Sequence, residues 1–352
     1  MADKVTVQDI VERLKQIKYP GVDHDIVSIG LVKNVQASDG QVAFSLAFST
    51  QDEAIRGKIT VTAREAVENI PGVHSVQISG PPPGESATTQ SHGAEGSGMI
   101  NLPGVKTIVA VASGKGGVGK STVSVNLAVA MAETGARVGL LDADIYGPSV
   151  PTMMGIKDQP GVVGKKILPI IAHEIKMMSF GFLIPEDQSV TWRGPMVHQA
   201  VQQLLGDVLW GELECLVIDM PPGTGDAHLT LTQSVPLTGG LVVTTPQDVA
   251  LIDARRGVAM FQQVKVPILG IIENMSYFSC PKCGDRTDIF TTGGGKRASE
   301  SLDVPFVGEL PIDPAVCLAG DQGVPIVRSD PDSPQTLAFR QVADTVIKTI
   351  GL

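Results

Sequence analysis

The sequence predicts an α/β protein in which a mostly parallel sheet is covered by helices on both faces and preceded by a small α/β domain. From Val105 onward, apolar β-branched runs alternate with segments of helical periodicity, the pattern of a parallel sheet. A glycine-rich loop follows the first of these runs. Residues 79–104 are rich in proline, glycine and serine and cannot bury an apolar face. They predict a flexible linker between two domains.

The domain before the linker, residues 1–78, is predicted to be a small α/β module. Its first helix carries an apolar stripe and ends at Pro20-Gly21. That stripe consists of Val7, Ile10, Val11, Leu14 and Ile17. The next predicted elements are two strands joined by a Ser-Asp-Gly hairpin signal, a helix and a third strand. Their predicted bounds are Ile26–Val35, Val42–Phe48, Ala63–Asn69 and Val73–Ile78.

The domain after the linker, residues 105–352, is predicted to contain the parallel sheet. Its predicted strands are Thr107–Ala112, Arg137–Leu141, Cys215–Met220, Leu241–Thr245 and Ile268–Glu273. A helical stripe follows the first strand and stops at Gly135. Two later helices are predicted over Asp248–Val264 and Thr336–Ile350.

The glycine-rich loop, Ser113 to Thr122, reads S-G-K-G-G-V-G-K-S-T and fits the phosphate-loop pattern G-x-x-x-x-G-K-S/T. Its glycines let backbone N–H groups surround an anion, and the helix that follows directs its positive end to the same place. Lys120 would reach the β- and γ-phosphates, and the Ser121 hydroxyl would bind Mg²⁺. The loop therefore predicts a nucleotide site of the P-loop NTPase type. Its predicted binding residues are Gly114, Lys115, Gly116, Gly117, Val118, Gly119, Lys120, Ser121 and Thr122.

Acidic residues stand at the ends of two further predicted strands. Asp142 and Asp144 follow one strand, and Asp219 ends the apolar run that precedes Pro221–Asp226. Because ligands of open parallel sheets bind at the carboxyl ends of the strands, we expect these acids in the nucleotide site. A carboxylate there can hold Mg²⁺ directly or through water. The glycines of Pro221–Asp226 predict a switch loop that changes with the γ-phosphate.

Charge and composition exclude several classes of function. The 352 residues carry a formal net charge of −10, which disfavours a general nucleic-acid binder. No apolar run approaches the roughly 18 residues of a membrane span, and the N-terminus lacks a signal-peptide core. Four cysteines are too few for a disulfide framework in so long a chain. We expect a cytoplasmic protein without a membrane or nucleic-acid partner.

A second chemical feature is the pair Cys280 and Cys283 in the sequence C-P-K-C-G. Such a pair can be a redox dithiol, half of a zinc site or half of an iron–sulfur site. Gly284-Asp285 after it favours a loop over the helix that a redox dithiol opens. Zinc or a cubane cluster normally takes four ligands, and a two-fold homodimer would supply the second pair. The other cysteines, Cys215 and Cys317, are expected to be small buried hydrophobes.

The extra lysine of the loop, Lys115, makes it resemble the deviant Walker A loop of the ATPases that include nitrogenase iron protein, MinD and ParA. In that class the first lysine points across a dimer interface to the partner's nucleotide. The resemblance implies catalytic roles for Lys115, Lys120 and Asp144, with Asp144 orienting the attacking water. Asp142 and Asp219 would support the Mg²⁺ shell.

Further motifs narrow the resemblance. D-A-D-I-Y-G-P-S, D-M-P-P-G-T-G-D and E-N-M-S-Y-F-x-C-P-x-C follow the loop in this order. Tyr19–Val32 resembles a MIP18-like domain, with Tyr19-Pro20-Gly21 in place of that family's usual Asp-Pro-Glu. Nearly the whole chain thus resembles the Mrp (ApbC-type) iron–sulfur cluster carrier ATPases.

The resemblance implies a homodimer that binds and hydrolyses ATP with Mg²⁺. It also implies a bridging [4Fe–4S] cluster on Cys280 and Cys283, which the protein passes to apo iron–sulfur proteins. Asn274 would contact the adenine. The cluster and the carrier role come from the resemblance, whereas the residues alone indicate an ATPase with a metal-binding loop.

The main alternative is a zinc-stabilised ATPase of the MinD/ParA class that acts as a positioning or scaffold protein, because C-P-x-C-G also suits zinc knuckles. A MinD-type protein would need a basic amphipathic helix at its C-terminus. Thr336–Leu352 offers only Arg340 and Lys348. An absorption spectrum after anaerobic purification would separate the two functions, since zinc is colourless.

Overall fold

The structure of the protein is a computed structural model in which the chain forms two compact units. It describes residues 6–19, 25–27, 31–38, 40–46, 53–79, 99–145, 147–164, 166–182, 194–223, 225–280 and 282–352. Most of the predicted linker, the Pro20-Gly21 signal and the departure from Asp-Pro-Glu lie outside the described residues. The first unit comprises residues 1–96 together with 160–169 and 207–211, and the second comprises the rest.

The helices and strands are numbered along the chain. The helices are α1 Val7–Leu14, α2 Glu53–Glu68, α3 Lys120–Glu133, α4 Val150–Met153, α5 Gly194–Gly206, α6 Asp226–Ser234, α7 Asp248–Gln263, α8 Gly294–Leu302, α9 Pro314–Asp321, α10 Ile326–Ser329 and α11 Pro334–Ile350. The strands are β1 Val32–Ser38, β2 Gln41–Leu46, β3 Ser75–Ser79, β4 Val105–Ser113, β5 Val138–Asp142, β6 Val162–Val163, β7 Lys166–Ile167, β8 Ile170–Ala172, β9 Ile175–Ser179, β10 Leu213–Pro222, β11 Gly239–Thr244, β12 Ile268–Glu273, β13 Phe278–Ser279, β14 Arg286–Thr287 and β15 Phe306–Glu309.

The first unit contains a three-stranded sheet in the order β1-β2-β3, with β1 antiparallel and β3 parallel to β2. Helices α1 and α2 pack together, and their buried apolar residues share one core with Phe44 and Leu46 of β2. Val163 of the short β6–β7 hairpin belongs to the same core. This hairpin lies far along the chain from the other elements of the core, yet its apolar residues pack into that core.

Several predicted bounds in this unit are wrong. Helix α1 ends at Leu14 instead of at Pro20-Gly21, because Lys15 and Gln16 form a turn and Lys18 pairs with Asp25 in an isolated bridge. The first strand begins at Val32 instead of Ile26, because Ile26 lies in a turn and is buried there without strand pairing. Helix α2 begins at Glu53 rather than Ala63. Isoleucine, glycine and threonine in its first half disfavour a helix by propensity. Packing overrides this, because Ile59, Ala63 and Val67 recur every four residues and are buried.

The second unit contains an eight-stranded sheet in the order β15-β12-β11-β4-β10-β5-β9-β8. Neighbouring strands are parallel except for the antiparallel pair β8 and β9. Right-handed crossovers place α3 on one face of this sheet and α5 to α8 on the other. Helix α3 is apolar on nearly all sides because it lies between the sheet and α11. The predicted fold class is confirmed.

The register of the central strands brings the acidic residues together. In β10, Asp219 is paired with Asp142 of β5 on one side and with Val111 of β4 on the other. Strand β4 ends two residues later at Ser113, where the glycine-rich loop begins. The carboxyl ends of three neighbouring parallel strands therefore meet at one point, which is the place that open α/β sheets use for ligands.

Candidate functional site

The glycine-rich loop connects β4 to the first residue of α3, Lys120. Gly117 and Gly119 have φ angles of +81° and +78°, a region that side chains rarely adopt. Gly119 also has no room for a side chain, since a Cβ there would lie 2.3 Å from Asn274 Nδ2. A Cβ on Gly114 would lie 2.0 Å from the Asp253 carbonyl oxygen of α7. The loop is therefore closely packed by two other parts of the second unit.

Lys120 lies among carboxylates at the start of α3. Its side chain is only 6 % exposed, and Nζ lies 2.8 Å from Asp219 Oδ1 and 3.8 Å from Asp144 Oδ2. A buried cation is retained only when opposite charges or hydrogen bonds compensate its lost hydration. Both carboxylates were predicted to stand at strand ends, and the fold brings them to the loop lysine.

Asp219 is fully buried and accepts hydrogen bonds from two hydroxyls of α3. Ser121 Oγ donates to Oδ2 at 2.6 Å, and Ser124 Oγ donates to Oδ1 at 2.7 Å. Ser121 and Ser124 are three residues apart and thus share one face of the helix. A hydroxyl and a carboxylate side by side are hard oxygen ligands of the kind that Mg²⁺ prefers. Ser121 and Asp219 therefore fit a magnesium ion.

Asp142 is fully buried behind this group. Ser179 Oγ of β9 donates to its Oδ2 at 2.8 Å, and the Asp144 backbone N–H donates to its Oδ1 at 3.1 Å. Burial raises the pKa of Asp142 to about 8, and the nearby Asp219 carboxylate adds to this rise. Asp142 thus anchors the turn that carries Asp144. Asp144 itself is 8 % exposed and accepts a backbone hydrogen bond from Gly147 at 3.3 Å.

Asn274 follows β12 and contacts the loop from the side opposite the acids. Its Nδ2 donates to the Val118 carbonyl oxygen at 2.9 Å. Next to it lies a cavity of ≈ 520 Å³ that begins at Gly119 and Thr122 and extends away from the loop. Its other lining residues are mostly apolar and include Phe278, Ile289, Pro311 and Phe339. A cavity of this size and character beside a phosphate loop fits a nucleoside.

Cys280 and Cys283 lie in the turn of a two-stranded hairpin formed by β13 and β14. The Cys280 N–H donates to the Asp285 carbonyl at 2.9 Å, and the Gly284 N–H donates to the Cys280 carbonyl at 2.8 Å. Backbone N–H groups of Lys282 and Cys283 lower the pKa of the Cys280 thiol, which favours the thiolate that binds metals. Cys280 is half-buried and Cys283 is exposed. The pair lies in a loop, as predicted, and does not begin a helix.

Comparison with known proteins gives a consistent result for both parts of the chain. Residues 104–347 match the family described as NUBPL iron-transfer P-loop NTPase, and residues 7–79 match the family described as iron–sulfur cluster assembly protein. An iron–sulfur cluster carrier protein of Synechocystis sp. is 44 % identical over 354 residues, which cover 99 % of both chains. The chain belongs to the iron–sulfur cluster carrier family of P-loop NTPases.

Other relatives of this carrier support the same family assignment. The iron–sulfur cluster carrier protein of Escherichia coli K12 is 51 % identical over 247 residues, which cover 70 % of this chain and 67 % of that one. A nucleotide-binding protein from Archaeoglobus fulgidus, solved in complex with ADP, superimposes with a TM-score of 0.59 at 38 % identity over 68 % of this chain and 93 % of the other. The resemblance and the carrier function predicted from the motifs are confirmed.

A MinD cell division ATPase from Pyrococcus furiosus superimposes with a TM-score of 0.54 at 23 % identity, covering 69 % of this chain and 98 % of that one. At that identity the likeness extends to the fold alone. In the part of the carrier that the structure describes, no helix combines the length and apolar character needed to cross a membrane.

The other two cysteines of the carrier differ in their burial. Cys215 is buried in β10, as expected, and burial raises the pKa of its thiol to about 12. The expectation that Cys317 is buried is wrong, because Cys317 is exposed on α9 and lines the ≈ 520 Å³ cavity. Helix α9 turns this apolar side to the cavity instead of the core. Among the described residues no three histidine, cysteine or acidic side chains group as a metal site.

Several polar contacts of the carrier's site were not predicted. Glu273 is fully buried at the end of β12, where Ser276 Oγ and the Gly293 and Gly295 N–H groups donate to it. Ser276 also donates to Glu309, which pairs with Arg286 of the cysteine hairpin. Ser276 lies three residues after Glu273, but the other partners come from parts of the chain 20 or more residues away. The one local signal is at Ser124, whose position one helical turn after Ser121 indicates a shared face.

Proposed function

We propose that this carrier binds and hydrolyses ATP with Mg²⁺ at the phosphate loop, holds a [4Fe–4S] cluster between two copies of the chain, and passes the cluster to apo iron–sulfur proteins. The observation that carries the proposal is the cysteine hairpin, which lies in the same compact unit as the loop and offers two exposed or half-buried thiols. The cluster is cargo, and the nucleotide site is the machinery that acts on it.

The ligand count supports a homodimer. A cubane cluster is held by four thiolates, and one copy supplies Cys280 and Cys283. A two-fold axis beside the hairpin would bring the same pair from the second copy. Cys215 is buried in the sheet, and Cys317 lies on α9 in the wall of the cavity. A bridging cluster with equal contributions from both copies is the arrangement that these positions favour.

Residues on the acidic side of the loop supply the hydrolytic chemistry in this proposal. Lys120 would leave its carboxylate partners for the phosphate oxygens and neutralise charge there. Ser121 and Asp219 would hold Mg²⁺, which stabilises the charge on the transferred phosphoryl group and the leaving ADP. Asp144, anchored by Asp142, would orient the attacking water. Lys115 would act in the active site of the partner.

The base end of the nucleotide belongs in the cavity beside Asn274. The ammonium and hydroxyl groups of the loop serve the phosphates, whereas the mostly apolar wall suits a flat aromatic base. Reduced thiols at Cys280 and Cys283 are compatible with the cytoplasm, and we propose that compartment. The domains proposed are residues 1–78 and 105–352, separated by the linker 79–104.

Cluster transfer tests the proposal. The anaerobically reconstituted carrier is mixed with an apo-enzyme that needs a [4Fe–4S] cluster, and recovery of that enzyme's activity is followed with a chelator present to remove free iron. Recovery with the parent carrier and none with the Cys283→Ser variant is expected. If the parent transfers no cluster, or Cys283→Ser transfers as well as the parent, the proposal is wrong.

A further inference from the structure

The hairpin that carries the cysteines also forms part of the wall of the ≈ 520 Å³ cavity beside the phosphate loop. Phe278 lies in β13, before the cysteine turn, and Ile289 lies two residues after the end of β14. Both side chains line the cavity. Phe278 is paired with Thr287 of β14 across the hairpin. Residues on both sides of the cysteine turn therefore face the space in which the base of the nucleotide is proposed to bind.

The first strand of the hairpin is attached at its root to another part of the cavity wall. The Ser276 N–H donates to the Leu310 carbonyl oxygen at 2.9 Å, and the Ile312 N–H donates to the Tyr277 carbonyl oxygen at 2.7 Å. Ile312 itself lines the cavity. The position of β13 thus depends on the residues that surround the cavity.

The segment after β14 is fixed at both of its ends. Arg286 Nη2 of β14 donates to Thr292 Oγ1 at 3.3 Å, and the Gly293 N–H donates to Oε1 of the fully buried Glu273 at 3.2 Å. Ile289 lies between these two attachments. A ligand that holds Ile289 in place therefore also restrains β14 and the cysteine turn that precedes it.

Ile289 is 51 % exposed although it lines an apolar cavity. The cavity begins at Gly119 and Thr122, where the phosphate loop meets α3. A nucleotide whose phosphates lie on the loop would extend its base along the cavity. A flat aromatic base there would remove Ile289 from water and pack against the ring of Phe278, and both contacts are favourable.

We propose that the base of the bound nucleotide packs against Phe278 and Ile289 and thereby stabilises the cysteine hairpin, so that occupancy of the nucleotide site strengthens retention of the cluster. The effect belongs to the nucleoside, since the phosphates lie at the loop and not at the hairpin. A ligand that binds one conformation better than others shifts the population toward it. The proposal rests on the nucleotide and cluster sites proposed above.

Hydrogen exchange in the cluster-free, full-length carrier tests the packing without any need for hydrolysis or iron. The N–H groups of Cys280 and Gly284 donate within the hairpin, and their exchange reports its opening. Exchange over residues 277–290 is compared in the ligand-free carrier, with saturating Mg²⁺–ADP, and with saturating Mg²⁺–pyrophosphate, which matches the phosphates of ADP but has no base. ADP should slow the exchange roughly fivefold or more, and pyrophosphate should leave it unchanged.

Substitutions of Ile289 separate this contact from a general effect of nucleotide binding. Ile289→Ser should bind ADP about tenfold more weakly, as expected for the loss of one apolar contact, and should bind pyrophosphate like the parent. Ile289→Leu keeps an apolar side chain and should restore ADP affinity. Phe290→Ser is the matched control, because Phe290 is the next residue, is also exposed and does not line the cavity. It should bind ADP like the parent.

The coupling to the cluster is measured as a ratio of affinities. The carrier with a reconstituted cluster should bind ADP more tightly than the cluster-free carrier, and coupling between two sites requires ADP to strengthen cluster binding by the same factor. Pyrophosphate should bind both forms alike. Equal ADP affinities of the two forms would overturn the coupling.

The outcomes distinguish this proposal from those on which it rests. If ADP binds but does not slow exchange in the hairpin, if pyrophosphate slows it as much as ADP, or if Ile289→Ser binds ADP like the parent, the packing is wrong while the nucleotide site stands. If the parent binds no ADP, the nucleotide site and the packing are both wrong. Slowing by ADP alone in a parent that takes up no cluster would support the packing and refute the cluster site.

Discussion

Asn274 Nδ2 donates a hydrogen bond to the Val118 carbonyl oxygen in the phosphate loop, at a distance of 2.9 Å. Strand β13 begins at Phe278, only four residues further along the chain, and leads into the cysteine turn. Phe278 also lines the cavity beside Gly119. The segment that touches the nucleotide loop is thus continuous with the segment that holds the thiols.

Gly119→Ala should destabilise the second unit more than Gly117→Ala. Both positions have positive φ, which costs a side chain about 1–2 kcal/mol. Only at Gly119 does the new Cβ collide with Asn274, whereas nothing lies within 4 Å of one at Gly117. Overpacking adds about 1–3 kcal/mol, so thermal unfolding without nucleotide should occur several degrees lower. Equal melting temperatures would show that Asn274 moves aside freely.

Arg286 should hold the cysteine hairpin in place. Its Nη1 lies 3.0 Å from Glu309 Oε1, and its guanidinium stacks on Tyr277 at 3.9 Å from the ring centroid. The pair is partly exposed and by itself worth less than about 1 kcal/mol, and the stacking adds about 0.5–1 kcal/mol. We expect Arg286→Gln to lose iron to an anaerobic chelator several-fold faster than the parent.

Arg256→Gln is the control for that loss of charge, because Arg256 is also exposed and pairs with Asp253 on α7. Its rate of iron release should equal that of the parent. Equal rates for Arg286→Gln and the parent would mean that the hairpin does not depend on this contact.

Lys120 should have separable roles in stability and hydrolysis. Lys120→Ala leaves the buried Asp219 without its cation, which costs about 3–5 kcal/mol, and also removes the phosphate contact. Lys120→Arg keeps a positive charge but cannot reproduce the compact ammonium. We expect both variants to lose ATP hydrolysis, with only Lys120→Ala strongly destabilised in urea unfolding. Iron retention should survive in Lys120→Arg, and wild-type turnover in either variant would contradict the assignment.

Much of the site could be predicted because the residues that carry its chemistry are adjacent in the sequence. The loop, the strand-end acids and the cysteine pair each occupy a few adjacent residues, and the rule for parallel sheets indicates that the strand-end acids meet. The pairing of Arg286 with Glu309 joins residues 23 positions apart and depends on how β14 folds back toward β15. The sequence around either residue gives no indication that the two pair.

The unpredicted elements have equally physical causes. Strand β15 has four residues and β9 has five, too short for a clear periodicity. The predicted start of helix α2 is too late because isoleucine, glycine and threonine in its first half have poor helix propensity and are stabilised by tertiary packing. Cys317 looked like a core residue because α9 is apolar, and only the fold reveals that this side of the helix lines a cavity.

Lys115 is proposed to act across the dimer. Lys115→Ala and Asp144→Ala homodimers should then both be nearly inactive. After subunit exchange half the dimers are mixed, and in those the chain with Lys115→Ala keeps its own Asp144 and receives an intact lysine from its partner. One of the two sites in each mixed dimer is then complete. Because half of the dimers are mixed, about a quarter of wild-type ATPase activity should return in this symmetric pair. With exchange verified on tagged chains, no recovery would mean that Lys115 acts within its own chain.

Anaerobic reconstitution with iron and sulfide tests the central claim most directly. If Cys280 and Cys283 of two copies share one [4Fe–4S] cluster, the parent should bind about two iron atoms per chain and show the visible absorption of a cubane cluster. Cys283→Ser should bind nucleotide normally and retain no iron, whereas Cys317→Ser should match the parent in iron content. A colourless protein that holds zinc, or full cluster absorbance in Cys283→Ser, would contradict the account.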